Sequence, residues 1–328
     1  MPAVIDNYLE RQLLSRRDKL ERAAADSRAP AHLQYLLAEV DRALEKMDDG
    51  SYGLCEACHD SIECDRLLCD PLVRFCLDHL TSRERTALEQ DLELAARVQK
   101  ALLPRESIDV NGWHICYHYD PAGVVSGDYC DVIDAADAGL YFMVGDVSGK
   151  GVAASMLMAH LHAMFRTLIS VGFSLKSMLE RASRVFSEST LPNQYATLVC
   201  GRALPDGRIE ISNAGHPSPL LIRCGEVTEL EGSGLPVGMF RTEDFPVSEF
   251  DLRSGHGLVI YSDGVSEATD TSGAEYGIER IRKLIDRERT FDPLRLLSNW
   301  RDDLTAFRCD AMKTDDCTMF VLGRTAST

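Results

Sequence analysis

Leu140-Tyr141-Phe142-Met143-Val144-Gly145-Asp146-Val147-Ser148-Gly149-Lys150-Gly151 is the stretch from which the rest of this chain is best read. Five apolar residues in a row, Leu140–Val144, suit a buried strand, and a glycine-rich turn follows them. Asp146 stands where strand gives way to turn. An aspartate placed there, beside glycine, leaves backbone carbonyls and water free to approach a hard cation. Three more stretches set aspartate in similar company: Ser126-Gly127-Asp128, Ser262-Asp263-Gly264 behind the apolar run Gly257–Tyr261, and Asp315-Asp316-Cys317-Thr318. A single Asp-Gly is a common turn. Four such settings on separate segments are what a pair of divalent cations needs. Two cations about 3.5–4 Å apart generate hydroxide near neutral pH and neutralise phosphate.

Outward from this stretch the chain is rich in short β segments: Trp113–Tyr119, Tyr195–Arg202, Arg208–Asn213, Leu220–Arg223, Gly257–Tyr261 and Thr318–Leu322. Helical spacing marks Val152–Ser170, Leu175–Glu188, Ile278–Arg287 and Pro293–Phe307. Strands in runs and helices in pairs indicate an α+β sandwich and not alternating βαβ units.

The text around these aspartates resembles the SpoIIE/RsbU branch of the metal-dependent, PPM-type serine/threonine protein phosphatases. The matching residues run from Leu94-Ala95-Ala96-Arg97-Val98-Gln99-Lys100-Ala101-Leu102-Leu103-Pro104 through Gly145–Gly151, Asn213-Ala214-Gly215-His216-Pro217, Tyr261–Glu267 and Asp315–Thr318, in one order over about 94–323. The resemblance implies an α/β/β/α sandwich of two antiparallel sheets flanked by helix pairs. It implies two Mn2+ or Mg2+ ions with Asp146 bridging them. Asp128 and the Val147 carbonyl complete one site, and Asp263 and Asp315 the other, with Asp316 the alternate for Asp315. A bridging water would attack phosphorus in line. The implied substrate is a phosphorylated STAS-type anti-anti-sigma protein. The family commonly has Gly-Gly-Asp where this chain has Ser126-Gly127-Asp128. Among the other polar residues, His216 reads as a turn residue and Lys150 as a solvated lysine. Cys116, Cys130, Cys200, Cys224, Cys309 and Cys317 read as small buried hydrophobes, and Met156, Met158 and Met164 as packing residues.

The front of the chain is different. Helical spacing covers about 6–25 and about Ala31–Met47, with the turn Asp26–Pro30 between, so the pair reads as a hairpin. Five of the eleven cysteines follow, between Cys55 and Cys76. Cys55-x2-Cys58, seventeen residues, then Cys76-x2-His79 is the spacing of two knuckles closing a tetrahedral zinc site. Cys64 and Cys69 lie between the knuckles and are candidates for substitution or redox chemistry. Asp49–Cys58 with Ile62, Arg66-Leu67 and Pro71 resembles the DksA/TraR zinc-finger family, whose members bind RNA polymerase through a long coiled coil. A site of four protein ligands is structural. The hairpin here is short.

A third helix, Thr81–Leu103, carries the stripe Leu88, Leu92, Ala95, Val98 (or Gln99) and Leu102, and reads as a linker and dimer seam. The expected layout is therefore a hairpin with zinc finger over 1–80, a linking helix over 81–103 and a phosphatase domain over 104–328. The net charge of −17 argues against nucleic acid. The first residues show no leader, and no apolar run reaches the roughly 20 residues of a bilayer span, so a cytoplasmic, membrane-free protein is expected. The expected function is hydrolysis of phosphoserine or phosphothreonine, regulated through the zinc module and linking helix. The competing reading is a DksA-like RNA-polymerase-binding or redox- and zinc-sensing protein that uses the phosphatase domain as a scaffold.

Overall fold

The computed structural model describes residues 3–24, 31–79, 82–191, 194–223, 225–230, 232, 234–240, 244–288, 291–311 and 313–325. They fall into two compact units, Met1–Gln90 and Asp91–Thr328.

In the first unit, α1 (Ala3–Ala24) packs on α2 (Ala31–Asp48). Leu9 and Leu13 of α1 and Val40 and Ala43 of α2 are buried. The turn Asp26–Pro30 lies outside the described residues. The cysteine-rich segment follows, with a short helix α3 (Cys64–Cys69) where the sequence suggested only loop. Helix α4 (Ser82–Leu102) is continuous, and Thr81 at its expected start lies outside the described residues. The division between the units runs through this helix.

The second unit holds eleven strands: β1 (Ser107–Val110), β2 (Trp113–Asp120), β3 (Asp128–Asp134), β4 (Leu140–Val147), β5 (Ala196–Ala203), β6 (Arg208–Ala214), β7 (Leu220–Arg223), β8 (Glu226–Glu229), β9 (Ser248–Asp251), β10 (Gly257–Tyr261) and β11 (Cys317–Arg324). They build a six-stranded sheet in the order β1-β2-β11-β10-β7-β8 and a five-stranded sheet in the order β3-β4-β5-β6-β9, with every pairing antiparallel. Helices α5 (Gly151–Val171) and α6 (Leu175–Ser189) cover the five-stranded sheet. Helices α8 (Ile278–Asp286) and α9 (Pro293–Arg308) cover the other, and a one-turn helix α7 (Asp263–Ser266) follows β10.

Burial on both faces explains the unbroken apolar runs. On β4, Leu140, Phe142 and Val144 enter the core between the sheets, while Tyr141 and Met143 meet α5 and α6. On β11, Phe320 and Leu322 face the inter-sheet core, and Met319 and Val321 face α8 and α9. Helix α5 is long and apolar enough to cross a membrane by composition alone. Its Met158, Leu161, Phe165 and Ile169 instead pack in the core, and its Arg166 grips the buried Asp131 with two hydrogen bonds of 2.8 and 3.0 Å.

One expectation is corrected, that of Cys309. Asp128 opens β3 beside its glycine neighbour. Cys309 is exposed at the C-cap of α9, with φ 52°, while Cys116, Cys130, Cys200 and Cys317 are buried as expected and Cys224 lies outside the described residues. Met156 is 69% exposed, although Met158 and Met164 join the core.

Candidate metal centres

The antiparallel register sets Asp128, the first residue of β3, opposite Asp146 near the end of β4. Asp263 begins α7 immediately beyond β10, and Asp315 and Asp316 immediately precede β11. β10 and β11 are neighbours, and the Ser262 amide donates to the Thr318 carbonyl at 3.0 Å. The two sheets thus contribute carboxylates to one place.

Burial and mutual charge raise the Asp146, Asp263 and Asp128 carboxyls. Burial pushes the Asp146 carboxyl up to about 7, helped by the negative charges of Asp263, Asp315 and Asp316. Asp263 is raised by burial and then by Asp315, and Asp128 is raised well above the usual carboxylate range by burial and then by Asp146. The Lys150 ammonium answers part of this charge, at 2.9 Å from Asp315 Oδ2 and 2.8 Å from the Thr314 carbonyl. Lys150 is therefore a partner of Asp315 and not simply solvated. Carboxylates offer the oxygen donors that hard divalent cations prefer. The loop before β3 fits as well. A Cβ on Gly127 would lie 3.2 Å from the Val147 carbonyl oxygen and 3.3 Å from Asp146 Oδ1, so only glycine leaves those two oxygens uncrowded.

The carboxylates divide by their existing bonds. Asp128 is fully buried, and its Oδ2 accepts from Ser262 Oγ at 2.9 Å and Thr318 Oγ1 at 2.6 Å. Asp316 accepts from the Ala122 amide through Oδ1 at 2.7 Å and from the Gly127 amide through Oδ2 at 2.8 Å. Both oxygens of Asp316 are thus committed to backbone, whereas Asp315 meets the Lys150 ammonium at the rim. The sequence had quoted Ser262 and Thr318 only as context. Their signal was present: a hydroxyl next to a buried strand must find a partner, and both find Asp128.

His216 is a turn residue, as expected. Asn213 brackets it, donating to its carbonyl and accepting from its amide at 2.9 Å each. Burial holds its imidazole down to about 3, so the ring is neutral, and its Nδ1 lies 2.9 Å from Thr197 Oγ1.

Gly264 is required by packing. A Cβ there would fall 1.9 Å from the Asp316 carbonyl oxygen and 3.1 Å from Asp315 Cβ. Gly264→Ala must push the segment bearing Asp263 away from the segment bearing Asp315. The expected result is a drop in Mn2+ affinity of roughly a hundredfold, since displacements of about 1 Å at a positioned site cost that much. Titration calorimetry on the folded variant checks it, and unchanged affinity would mean the two segments do not share an ion.

In the first unit, Cys55, Cys58, Cys76 and His79 bring their ligand atoms within 4.8 Å of one another. Cys58 Sγ and Cys76 Sγ are 3.7 Å apart, and Cys76 Sγ is 3.3 Å from His79 Nδ1. A tetrahedron with metal–sulfur bonds of about 2.3 Å has S···S edges of about 3.8 Å, so the donors fit zinc in type and spacing. Burial alone would raise the Cys55 thiol, but backbone amides of Cys76, Cys58 and Ala57 outweigh it and hold the thiol down at about 6. Glu56, between the first two cysteines, pairs with Arg74 and with Lys46 of α2. Arg74 above all holds its carboxyl down to about 2. His59 takes a positive φ of 61° in the turn and is not among the four. Cys64 is half-buried in α3 and also outside the group, and the side chain of Cys69 is not among those described.

The geometry has counterparts. The SpoIIE family, described as Stage II sporulation protein E, matches residues 136–325. Phosphoserine phosphatase RsbU of Bacillus subtilis (strain 168) is 26% identical over 260 residues, covering 75% of this chain and 74% of that protein. Among solved structures, the SiaA-PP2C domain of Pseudomonas aeruginosa superposes with a TM-score of 0.64 at 19% identity, over 75% of this chain and 99% of that one. The RsbU and RsbW domains of a Mycobacterium tuberculosis protein superpose with a TM-score of 0.57 at 28% identity, over 68% of this chain and 63% of that one.

Proposed function

The chain belongs to the SpoIIE family, and from that premise we propose that it is a phosphoprotein phosphatase that hydrolyses phosphoserine or phosphothreonine on a STAS-type anti-anti-sigma protein. The observation that carries this reading is the placing of Asp128 opposite Asp146 on β3 and β4, with Asp263 and Asp315 at adjoining ends of the neighbouring β10 and β11. Two Mn2+ or Mg2+ ions, when bound, would supply hydroxide near neutral pH and neutralise the phosphate. Asp146 would bridge them. The Val147 carbonyl and Asp128 would serve one, and Asp263 and Asp315 the other. Asp316 would hold the 121–127 loop against the site through its two backbone hydrogen bonds, and Asp128 would tie β3 to β10 and β11. Water would add its oxygen to phosphorus as the bond from phosphorus to the serine or threonine oxygen breaks, and that oxygen would leave with a proton taken up from solvent.

We assign catalysis to 104–328, linkage and dimerisation to 81–103, and regulation to the zinc-binding 1–80 segment, in the cytoplasm.

The test is hydrolysis of p-nitrophenyl phosphate and a phosphoserine protein by the full chain, with Mn2+, with Mg2+ and with EDTA. Turnover is expected only with a cation. The pH dependence has a definite sign. Asp146 is raised from 3.8 to about 7 in the metal-free protein. Protons and Mn2+ compete for it, so Mn2+ affinity should fall roughly tenfold from pH 8 to pH 6. Between pH 4 and 7 the metal-free folded state binds more protons than the unfolded chain, so its stability declines as pH rises through that window. Mn2+ should therefore raise the melting temperature more at pH 8 than at pH 6. Cation-independent turnover would refute the reading.

A further inference from the structure

Helix α4 holds to the second unit in an unusual way. Among its described side chains, Gln99 is the one that is buried, at 6% exposure, while Leu94 and Val98 before it are 52% and 54% exposed. Amphipathic helices normally dock by an apolar stripe; here Leu92, Ala95, Ala96 and Leu102 form a half-buried stripe, and its most buried member is an amide. Gln99 Nε2 donates to the Ser126 carbonyl at 2.7 Å, and Gln99 Oε1 accepts from the Ser126 amide at 3.0 Å. The side chain thus pairs with one residue's backbone as a neighbouring strand would.

Ser126 is not an ordinary loop residue. Its Oγ accepts from the Asp128 amide at 3.0 Å. The next residue, Gly127, accepts from the Val147 amide at 3.3 Å and rests against Asp146 Oδ1 and the Val147 carbonyl. From the helix to these oxygens is one amide and two residues of backbone. The loop's other anchors, Asp316 and the Tyr119 hydroxyl that donates to the Asp128 carbonyl at 3.0 Å, come from within the sandwich.

We infer that Gln99 is a positioning residue through which helix α4 sets the metal-binding geometry, so that a shift of α4 along or about its axis is felt at Gly127, Asp128 and Asp146. This rests on the phosphatase reading above. A rotation of α4 that withdraws the amide strands two backbone groups of Ser126 in a buried place, which is costly. The loop must then either follow the helix or loosen.

The experiment compares wild type with Gln99→Met, which keeps length and volume but offers no hydrogen bond, and with Arg97→Met on the exposed face as control. Amide hydrogen exchange across 121–128 is measured in the metal-free full chain, and Mn2+ binding by calorimetry. In Gln99→Met, exchange at Ser126 and Asp128 should quicken about tenfold or more, and Mn2+ should bind roughly ten- to a hundredfold more weakly, from the loss of two buried hydrogen bonds. The rate at saturating Mn2+ should stay within about threefold of wild type, because the ligands themselves are intact. Arg97→Met should change none of these. Mn2+ affinity within twofold of wild type, or unchanged exchange in 121–128, would overturn the inference. A wild-type chain that binds no Mn2+ would instead overturn the phosphatase reading, and the two failures are told apart by that control.

Discussion

Asp146→Asn is expected to lower Mn2+-dependent hydrolysis by about a thousandfold or more and to make the metal-free protein harder to unfold. The loss follows from the position: Asp146 stands opposite Asp128 and carries charge coupling to Asp263, Asp315 and Asp316. A bridging carboxylate supports charge stabilisation worth several kcal/mol, and each 1.36 kcal/mol is tenfold in rate. The gain in stability follows from the same crowding. Raising a carboxyl from 3.8 to about 7 corresponds to about 4 kcal/mol at most at high pH, and partial solvent access reduces it to about 2. For a unit of this size that is roughly a 4–8 °C rise in melting temperature. The sign is fixed by linkage: the repulsion exists above pH 7 and is lost as Asp146 protonates, so the gain should be full at pH 8 and vanish near pH 4. A variant that keeps a tenth of wild-type turnover, or that melts lower than wild type without metal at pH 8, would break the assignment of Asp146.

Zinc removal should have the second large effect. Among its described side chains, the first unit buries few apolar ones, chiefly Leu9, Leu13, Val40, Ile62 and Leu67, beside the Cys55 and Cys76 thiols. So small a core does not hold itself together without a metal or similar support. Binding of a structural zinc is worth about 10–16 kcal/mol in small fingers, as much as a whole domain's stability. A strong chelator, or Cys55→Ser, should therefore release one zinc per chain and abolish the helical signal of α1 and α2, leaving the sandwich folded. Circular dichroism with a colorimetric zinc assay reads both. Retention of the full helical signal after complete chelation would show the unit to be held by its apolar core alone.

How much of this was legible in the residues follows a physical line. The central strands were legible because both faces are buried: β4, β10 and β11 carry unbroken apolar runs, and each was found. The strands that were missed, β1, β3, β8 and β9, are the four sheet edges. An edge has water or a helix cap on one side and tolerates charge. β3 carries three aspartates in seven residues, and Asp131 among them is neutralised by Arg166 from a helix about thirty-five residues away, a pairing no local pattern announces. At the site, the aspartates were legible from their glycine neighbours. What their oxygens do was not, because Asp315 and Asp316 differ by which backbone amides lie opposite them, and those belong to 121–127. Gln99 had no signal beyond an ambiguity with Val98 in a helical stripe; a buried amide among the half-buried Leu92, Ala95 and Leu102 contradicts the pattern by which helix faces are read.

The position of β11 makes one strand answer for both the sheet and the candidate site. It is the last strand described, yet it lies inside the six-stranded sheet between β2 and β10. It also follows directly on Asp315 and Asp316, and its Thr318 holds Asp128. Without the segment from Asp315 onward, β2 and β10 have no common neighbour and the cluster lacks two carboxylates. Loss of β11 would unjoin β2 from β10 and take the hydroxyl partner Thr318 from Asp128 in the same stroke, so the sheet and the candidate site stand or fall together.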